Sequence, residues 1–380
     1  MKHVYDLIVI GAGLSSLMFL SQYMKKSAGQ SVLLLEQKDN VKQDQTFCIW
    51  EGPDLPSITR QFKLKPKKVW SKIVLNDGSN EIKRDIGPYR YVCFDGKETL
   101  KKLISASEQE ITIINNERVS QTSYKNSTHE ITTTNKTYYA KCIVDSRSNL
   151  KPHEIKSTYI HQAFIGHEIE VDQEQFNPSE ITLMSFTKNK DEIEFTYLLP
   201  FTKKRALVET TFFSSLPSIK RIEESHSRLL KKYDPYRSVR QEKAIIPMAI
   251  IIPDEEQGVL KIGTGAGMLR ASSGYSMRRI AKWLLESQPA NINETNITRF
   301  KYKPDPLLNW LDNIFLNVIL NYPKKGPYLF MSLFKKTNMP SLIRFLSDDA
   351  SKWDLINVIR GMPKRLMLKG LLKVKKNDQN

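Results

Sequence analysis

The sequence predicts an α/β protein that combines a Rossmann-like domain with an antiparallel β-sheet domain and a helical C-terminal region. Three observations carry this prediction. Residues 6–13 form an apolar run that enters a Gly-x-Gly turn, and a second apolar run follows at 32–35. Residues 159–213 hold repeated short runs in which apolar and polar side chains alternate, the period of half-buried strands. The residues after 290 group apolar with basic side chains in the manner of amphipathic helices.

The first predicted unit is a βαβ element for a dinucleotide. Gly11 permits the tight turn after the first strand, and Gly13 lets the backbone approach a pyrophosphate at the N-terminal end of the next helix. Ser16 replaces the third glycine of this fingerprint and is small enough to keep the helix close to the strand. Glu36 ends the second strand, where a carboxylate accepts hydrogen bonds from an adenosine ribose. This order of features predicts a bound dinucleotide.

A membrane span is the alternative interpretation of the same stretch, because residues 7–24 carry no charge. Two glycines and two serines interrupt this stretch, and no small-residue cleavage site follows it. Asp6 also precedes it where a signal peptide would be positively charged. We therefore expect a strand and a buried helix here, and neither a span nor a secretory signal.

The rest of the chain alternates candidate elements with turn signals. Residues 41–66 are expected to form a loop, and residues 67–82 a hairpin around the Asn-Asp-Gly turn at 76–78. Asp95 is placed to cap a helix that runs to about residue 107. Further strands are expected near 111–114, 129–133, 138–144 and 259–262, and further helices at about 219–233 and 275–286.

The length of 380 residues exceeds one ordinary core and suggests several subdomains. No low-complexity linker separates them, so we expect them to be interleaved. The expected division is a nucleotide-binding domain over 1–155, to which 245–290 returns, an antiparallel substrate domain over 156–244, and a basic helical region over 291–376.

The formal net charge of +17 is concentrated at the C-terminal end. Residues 301–380 contain fifteen Lys and Arg against six Asp and Glu, and these basic residues share helices with many apolar ones. Such helices suit an anionic membrane surface. Core-facing helices with a solvated basic face are the second interpretation. Nucleic acid is the least favoured of the three and is not expected as a partner.

Cysteine and histidine usage argues against other classes of site. The three cysteines are odd in number and scattered, which fits a reducing cytosol and no disulfide framework. The six histidines form no His-x-x-x-His or Cys/His cluster, so no metal site is expected.

Separated motifs resemble those of one family, in the same order along nearly the whole chain. They lie at 45–50 (QTFCIW), 145–147 (DSR), 162–166 (QAFIG), 199–200 (LP), 207–211 (LVETT), 266–275 (AGMLRASSGY) and 344–348 (RFLSD). On these motifs the chain resembles the lycopene cyclases, flavoproteins of carotenoid synthesis. It departs from the family pattern at Gln45, where a histidine is usual, at Thr210, where many members carry a second acid, and at Ala271, where proline is usual.

The resemblance implies a Rossmann-like FAD-binding fold and a non-redox reaction. A linear end of lycopene or a related linear carotenoid is protonated, the cation closes a six-membered ring, and a proton is lost. FAD acts in its reduced form, with NAD(P)H as the reductant. Rings of the β type are the expected product, while the γ and ε types stay open. The substrate dissolves in lipid, which implies a cytoplasmic enzyme held peripherally on the membrane.

Glu209 is the expected catalytic residue. It lies in an apolar run over 205–213, so burial is expected to raise the pKa of its carboxyl and let it carry a proton near neutral pH. Its role as acid, base or cation stabiliser stays open. From the motif positions, Trp50 and Tyr275 are expected to contact the substrate.

The glycine-rich stretch 263–275 resembles a second flavin-binding element, with a helix expected to begin near its end. Gly263, Gly265, Gly267 and Gly274 are its expected cofactor-binding residues, and a separate NAD(P)H fingerprint is the competing interpretation. Asp145 either contacts the cofactor or only caps a turn with Arg147.

Two other functions stay open at this point. One is an FAD-dependent redox enzyme on an isoprenoid lipid, of the geranylgeranyl-reductase or hydroxylase kind. The other is a protein without activity, either a flavoprotein that has lost catalysis or a basic binding module.

Overall fold

A computed structural model describes residues 2–39, 45–106, 111–187 and 191–377, with side chains described up to residue 374. Its strands are β1 (Val4–Ile10), β2 (Val32–Leu35), β3 (Thr46–Glu51), β4 (Lys68–Trp70), β5 (Lys72–Asn76), β6 (Glu81–Asp85), β7 (Arg90–Asp95), β8 (Ile111–Ile114), β9 (Val119–Lys125), β10 (Thr128–Thr133), β11 (Thr137–Asp145), β12 (Ile160–Val171), β13 (Ile181–Thr187), β14 (Ile193–Pro200), β15 (Arg205–Ser214), β16 (Tyr236–Met248) and β17 (Val259–Lys261). Its helices are α1 (Leu14–Tyr23), α2 (Ile58–Gln61), α3 (Gly96–Ser105), α4 (Ile219–Leu230), α5 (Met277–Ser287), α6 (Pro306–Asn321), α7 (Gly326–Lys336), α8 (Met339–Leu346), α9 (Lys352–Gly361) and α10 (Lys364–Asn377).

The first sheet carries the predicted βαβ unit. Its strand order is β8-β2-β1-β11-β10-β9, and β17 pairs in parallel with β11. Strands β8, β2, β1 and β11 are parallel, so their carboxyl ends meet at one edge. Strand β1 is buried from Leu7 onward, and all of helix α1 except Gln22 is buried, because apolar side chains dominate both segments. The prediction of a strand and a buried helix over 7–24 is confirmed.

The second sheet is mostly antiparallel, in the order β16-β12-β15-β14-β13-β5-β6. Helix α4 packs against β12 and β15 on one face. The other face joins the C-terminal helices in the largest hydrophobic core. A small third sheet has the order β3-β7-β4. The α/β class with an antiparallel sheet and C-terminal helices is therefore confirmed.

The expected loop over 41–66 is wrong where it can be compared. Residues 41–44 lie outside the described residues, but the remainder contains β3 and α2. Strand β3 pairs with β7, so that Cys48 faces Cys93. A partner strand this far along the chain leaves no local hairpin signal, and β7 was missed for the same reason.

Other boundaries differ in detail. The hairpin around 76–78 is confirmed as β5 and β6. Helix α3 ends at Ser105, and the predicted end near residue 107 lies outside the described residues. Helix α5 begins at Met277, a little later than expected, because Gly274 has a φ of +71° and Ser276 is not helical. The predicted helix over about 275–286 is therefore confirmed, with a start two residues later.

Domain limits at 155, 245 and 291 stay a prediction. Two features of the sheets bear on them. Strands β5 and β6, from the first segment, extend the second sheet, and β16 stays paired with β12 up to Met248. Among the residues that the structure describes, no helix combines the length and the apolar character needed to cross a membrane.

Candidate active site

A cavity of about 740 Å³ lies where the second sheet, the glycine-rich loop at 263–275 and the C-terminal helices meet. Three walls bound it. Strands β12, β14, β15 and β16 supply a polar and aromatic floor, and β3 and β7 supply the second wall. Helices α6 to α10 supply apolar side chains toward the far end. One continuous space therefore connects the glycine-rich loop with the C-terminal helices.

Four residues at the same level of the sheet cross this floor. Tyr197 pairs with Glu209, Glu209 pairs with Gly166, and Gly166 pairs with Glu242. Side chains at one level of neighbouring strands point to the same face. Tyr197, Glu209 and Glu242 accordingly all line the cavity. The sheet thus presents two carboxylates and a phenol to one space.

Glu209 is buried on β15, with 7% of its surface exposed. Its Oε1 accepts a hydrogen bond from Thr211 Oγ1 at 2.5 Å. Burial, and after it the negative charge of Glu242, raise the pKa of Glu209 to about 8, although Thr211 and Arg240 act in the opposite direction. The carboxyl can therefore hold a proton at neutral pH, as an acid catalyst requires.

Glu242 has a different set of partners. Its Oε2 accepts hydrogen bonds from Arg240 Nη1 at 2.7 Å and from Thr46 Oγ1 at 2.9 Å. Arg240 also donates from Nε to Glu168, which is fully buried and ion-paired with further cations. Burial raises the pKa of Glu242, while Arg240 and Thr46 oppose the rise.

Thr210, the departure from the family's second acid, does not face the cavity. Side chains alternate along β15, so Thr210 points away from the side on which Glu209 lies. Its Oγ1 lies 3.0 Å from Nδ1 of His226 on α4, and His226 in turn lies 2.8 Å from His167. Burial lowers the pKa of His226 to about 4, so this ring is neutral at pH 7.

A cluster of three phenols closes the cavity beside Glu209. The hydroxyl of Tyr91 lies 2.8 Å from that of Tyr197 and 3.0 Å from that of Tyr275. Tyr197 also donates to Cys48 Sγ at 3.4 Å. Burial raises the pKa of all three tyrosines, which are therefore neutral phenols at pH 7. Trp50 packs edge-on against Tyr91, with ring centroids 4.6 Å apart.

Both predicted substrate residues are thus brought together. Trp50 and Tyr275 line the same cavity, each next to Tyr91. The Trp50 indole nitrogen is buried without a hydrogen-bond partner, and its ring adds an electron-rich face to the wall. Tyr91 itself was missed from the sequence, since no motif pointed to it.

The first glycine-rich turn has the features of a helix N-terminus that can accept an anion. Helix α1 begins after Gly13 with no side-chain cap and no acidic residue in its first turn, so its first N–H groups lack an internal partner. Ser16 Oγ is buried and has no hydrogen-bond partner. Glu36 accepts from the Ala12 N–H at 2.6 Å and the Lys38 N–H at 3.0 Å, which holds its carboxylate at this turn.

The two glycine-rich turns and the Asp-Ser-Arg motif meet at one point. Gly263 has a φ of +68°, and a Cβ there would lie 2.5 Å from Ser15 Oγ at the start of α1. A Cβ on Gly11 would lie 2.6 Å from Ser146 Oγ, and one on Gly265 would lie 2.3 Å from the Arg147 carbonyl oxygen. Side chains would push these segments apart, so the glycines keep both turns within reach of one ligand.

Gly267 and Gly274, in the same loop, are also positions where a side chain would collide with neighbouring atoms. A Cβ on Gly267 would lie 2.4 Å from the Ile251 carbonyl oxygen. One on Gly274 would lie 2.7 Å from Gln162 Oε1, an oxygen that has no hydrogen-bond partner. Thr264 and Gly274 both line the cavity. The loop backbone at Gly274 therefore lies close to the unpaired amide oxygen of Gln162, which β12 supplies.

Asp145 makes the contacts of a turn-forming residue. Its carboxylate accepts hydrogen bonds from the Arg147 backbone N–H, the Arg147 guanidinium and Lys261 Nζ. Burial acts to raise the pKa of Asp145. The hydrogen bonds and charges of Arg147 and Lys261 outweigh this effect, so the pKa lies below its usual range. The sequence left open whether Asp145 contacts the cofactor or caps a turn with Arg147. The observed contacts are those of the turn cap.

The loop is tied to the C-terminal helices by a buried ionic cluster that sequence reasoning missed. Arg270, with no exposed surface, donates to Asp312 on α6 at 3.1 Å and to Asp348 at 3.0 Å. Arg279 of α5 donates to the same Asp348 at 2.8 Å. Arg270 lies within the 266–275 motif and Asp348 within the 344–348 motif, and these two positions were the available signals.

The cavity opens among exposed apolar side chains. Trp310, Ile359 and Leu368 line it and are each about half exposed. Further exposed apolar residues continue the same helix faces at helical spacing, namely Leu307 on α6, Trp353 and Ile356 on α9, and Leu372 on α10. Exposed basic residues lie on the same helices, namely Lys352, Arg360, Lys364, Arg365, Lys369 and Lys373. We call this surface the mouth patch.

Comparison with known proteins adds three kinds of finding. The sequence profile described as "Lycopene cyclase protein" matches residues 6–372. A lycopene beta-cyclase of a Paracoccus species is 30% identical over 30% of this chain and 32% of its own length. The chloroplastic lycopene beta cyclase of Solanum lycopersicum is 24% identical over 73% of this chain and 58% of its own length. The matches thus span about a third to somewhat over half of these relatives.

Solved structures share the fold at low identity. A geranylgeranyl bacteriochlorophyll reductase-like protein from Thermoplasma acidophilum superposes with a TM-score of 0.64 at 11% identity, over 97% of this chain and 99% of its own. A flavoprotein/dehydrogenase from Cytophaga hutchinsonii gives 0.57 at 14% identity, with both chains fully covered. Similarity at this level establishes the fold.

Proposed function

The chain belongs to the lycopene cyclase family, and we propose that it cyclises the linear ends of lycopene or a related linear carotenoid, with Glu209 as the acid. The observation that carries this proposal is a buried carboxyl, with its pKa raised to about 8, in an apolar cavity that opens on an apolar surface. Burying an ionised carboxylate in an apolar cavity costs free energy, so such a group is usually protonated or has a functional role.

In the proposed reaction the Glu209 carboxyl donates its proton to the terminal double bond of the substrate. The carbocation that forms is attacked by a nearby double bond of the same chain, which closes a six-membered ring. Loss of a proton from a ring carbon then restores a neutral product. Protons balance and no electrons are transferred. The β ring is the proposed product.

The chain's own residues suit a cation in a dry space. Trp50, Tyr91 and Tyr275 offer aromatic faces that attract positive charge. The Tyr91 hydroxyl is hydrogen-bonded to those of Tyr275 and Tyr197, so these polar groups of the wall satisfy one another. Glu242, which lines the same cavity and is hydrogen-bonded by Arg240 and Thr46, adds negative charge from the sheet when it is ionised. Exclusion of water protects the cation from capture.

The residues at the two glycine-rich turns fit FAD. The uncapped start of α1 at Gly13 and the unpartnered Ser16 hydroxyl would hold a pyrophosphate. The Glu36 carboxylate retains lone pairs for a ribose, and Gly263, Gly265, Gly267 and Gly274 would let the second loop approach the flavin. When bound in its reduced form, with NAD(P)H as reductant, FAD supplies negative charge near the cavity.

The mouth patch is the proposed membrane contact. A long hydrocarbon substrate resides in the bilayer, and the cavity mouth is surrounded by exposed Trp310, Ile359 and Leu368 with basic residues on the same helices. Apolar and basic side chains together bind an anionic lipid surface. The proposed location is the cytoplasmic leaflet, with peripheral attachment.

The test is pigment chromatography of a lycopene-accumulating bacterial host that expresses this chain or its Glu209→Gln variant. Cyclic carotene from the wild type alone would support the proposal and identify the ring. Well-expressed, flavin-loaded protein with unchanged lycopene would contradict it. A product with two added hydrogens would instead identify a redox enzyme on an isoprenoid lipid.

A further inference from the structure

Two buried carboxylates face the cavity across a single glycine. Gly166 of β12 pairs with Glu209 on one side and with Glu242 on the other. A Cβ on Gly166 would lie 3.3 Å from Glu242 Cγ, closer than side chains ordinarily pack, and in van der Waals contact with Glu209 Cβ at 3.4 Å. The absence of a side chain at Gly166 therefore leaves the two carboxylates adjacent on one face, with nothing from β12 between them.

The two carboxylates are not equivalent. Glu242 is bonded by the Arg240 guanidinium and the Thr46 hydroxyl, and both hydrogen bonds favour its ionised form. Glu209 has a single hydroxyl partner, Thr211. When two carboxylates share a site, the one with the stronger donors ionises first and disfavours ionisation of the other.

We propose that Glu242, anchored by Arg240 and Thr46, is a positioning residue that keeps the proton on Glu209 and so sets the pH range of the reaction. The inference rests on the proposed function for its consequence in catalysis. The effect of Glu242 on the proton of Glu209 involves only these two carboxyls and can be tested without a substrate. It gives this chain a second active-site carboxylate on β16, where the sequence offers Thr210 on the wrong face of β15.

The other groups around Glu209 do not replace this effect. On β16, Arg240 lowers the pKa of Glu209, and on β15 Thr211 does the same. From β14, β7 and the loop before α5, Tyr197, Tyr91 and Tyr275 are phenols whose own pKa is raised by burial. Two thiols lie nearby, since Cys48 on β3 accepts a hydrogen bond from Tyr197 and Cys93 on β7 faces Cys48. Among the described residues, Glu242 thus supplies the negative charge that acts on Glu209.

The decisive experiment titrates the Glu209 carboxyl in the flavin-loaded protein by infrared spectroscopy, without any carotenoid. The Glu209→Gln variant identifies the carboxyl band. In Glu242→Gln, the midpoint of this band is expected to fall by at least about one pH unit, the size of effect that a close like charge produces. Glu242→Asp keeps the charge and is expected to move the midpoint far less. Glu170→Gln, an exposed change on β12, serves as control.

An unchanged Glu209 midpoint in folded Glu242→Gln would overturn the inference. If that variant does not fold, the double variant Glu242→Gln/Arg240→Gln removes the uncompensated guanidinium as well. Because Glu242 acts on Glu209 more strongly than Arg240 does, the midpoint is still expected to fall, and an unchanged or higher one would overturn the inference.

Activity provides a separate readout. With lycopene as substrate, the basic limb of the pH–rate profile is expected to move to lower pH in Glu242→Gln, because the acid form of Glu209 is lost earlier. A shifted infrared midpoint in a protein that leaves lycopene unchanged would support the electrostatic inference and contradict the proposed function. If the wild type cyclises lycopene but the Glu209 midpoint is unchanged in Glu242→Gln, the result would support the proposed function and contradict the electrostatic inference.

Discussion

Thr211 Oγ1 and Glu209 Oε1 lie 2.5 Å apart, side by side on the cavity face of β15. Two residues apart on a strand, their side chains point the same way, so the hydroxyl is available to orient the carboxyl. A hydrogen bond from Thr211 to one oxygen leaves the second oxygen of Glu209 to carry the proton toward the cavity.

The buried Glu209 carboxyl makes stability depend on pH. Its pKa is raised from 4.5 to about 8, so the stability it contributes is fully present below 4.5 and is lost as the pH rises through 8. In Glu209→Gln, the glutamine side chain has nearly the same shape as glutamate but does not ionise. We expect the free energy of unfolding of the wild type to fall relative to that variant between these pH values. Denaturant unfolding of both proteins across the range measures this difference, and a constant difference would contradict the raised pKa.

Gly263 is expected to be required for flavin binding. Gly263→Ala places a methyl 2.5 Å from Ser15 Oγ in a left-handed backbone, which forces apart the turns at the proposed pyrophosphate site. The affinity for flavin, measured by titration of the apoprotein, is expected to fall by at least about tenfold, equivalent to a loss of about 1.4 kcal/mol in binding.

Gly78→Ala is the matched control for that change. Gly78 has a φ of +82°, but no neighbouring atom lies within 4 Å of the place that a Cβ would take, so the substitution brings the backbone strain without the collision. Gly78→Ala is expected to retain its flavin. Equal flavin loss in both variants would show that strain alone, rather than the junction of the turns, explains the result.

The buried cluster of Arg270, Asp312 and Asp348 is expected to dominate the attachment of the C-terminal helices. Asp312→Ala leaves the Arg270 guanidinium partly uncompensated in the core, at a cost of about 3–5 kcal/mol. Glu174→Ala removes one partner of the exposed pair with Lys203 and is expected to cost less than about 1 kcal/mol. Chemical denaturation measures both, and similar small losses would contradict a structural role for the cluster.

The mouth patch is expected to bind anionic vesicles. Trp353 and Leu372 are exposed by 75% and 59%, so changing both to serine removes apolar surface without disturbing the core. Vesicle binding in a sedimentation assay is expected to weaken by at least about tenfold, since each apolar side chain contributes about 1.5–3 kcal/mol when fully buried.

Leu216→Ser provides the control for the vesicle experiment, because Leu216 is 85% exposed but lies after β15, outside the mouth patch. It should bind vesicles like the wild type, and added salt should weaken binding of both. Equal loss of binding in Leu216→Ser, or wild-type protein that ignores anionic vesicles, would contradict membrane docking through this surface.

Local patterns in the sequence predicted the features that depend on neighbouring residues. The βαβ order around Gly11 and Gly13 predicted β1, α1 and β2, and the apolar run around Glu209 predicted its burial. Successive side chains of a strand point to opposite faces, so a strand over 205–213 also implies that Glu209 and Thr210 face opposite sides of the sheet. This was an available signal that the family comparison at Thr210 obscured.

Features that depend on distant strands could not be predicted in this way. Glu242 lies in a charged stretch that looks solvent-exposed, and it faces the cavity only because β16 pairs with β12. Tyr91 meets Tyr275 across almost half of the chain. Arg270 finds Asp312 through the packing of helices whose order the sequence does not specify.

The most direct test of the central claim follows hydrogen and electrons together. Purified protein with reduced FAD is supplied with lycopene in vesicles in D₂O. We predict that each ring formed carries one deuterium, delivered through the exchangeable Glu209 carboxyl, and that no reductant is consumed per ring. Glu209→Gln is expected to be at least about 100-fold slower, with unchanged flavin content. Reductant consumed in proportion to product, or equal turnover by Glu209→Gln, would contradict non-redox cyclisation by Glu209.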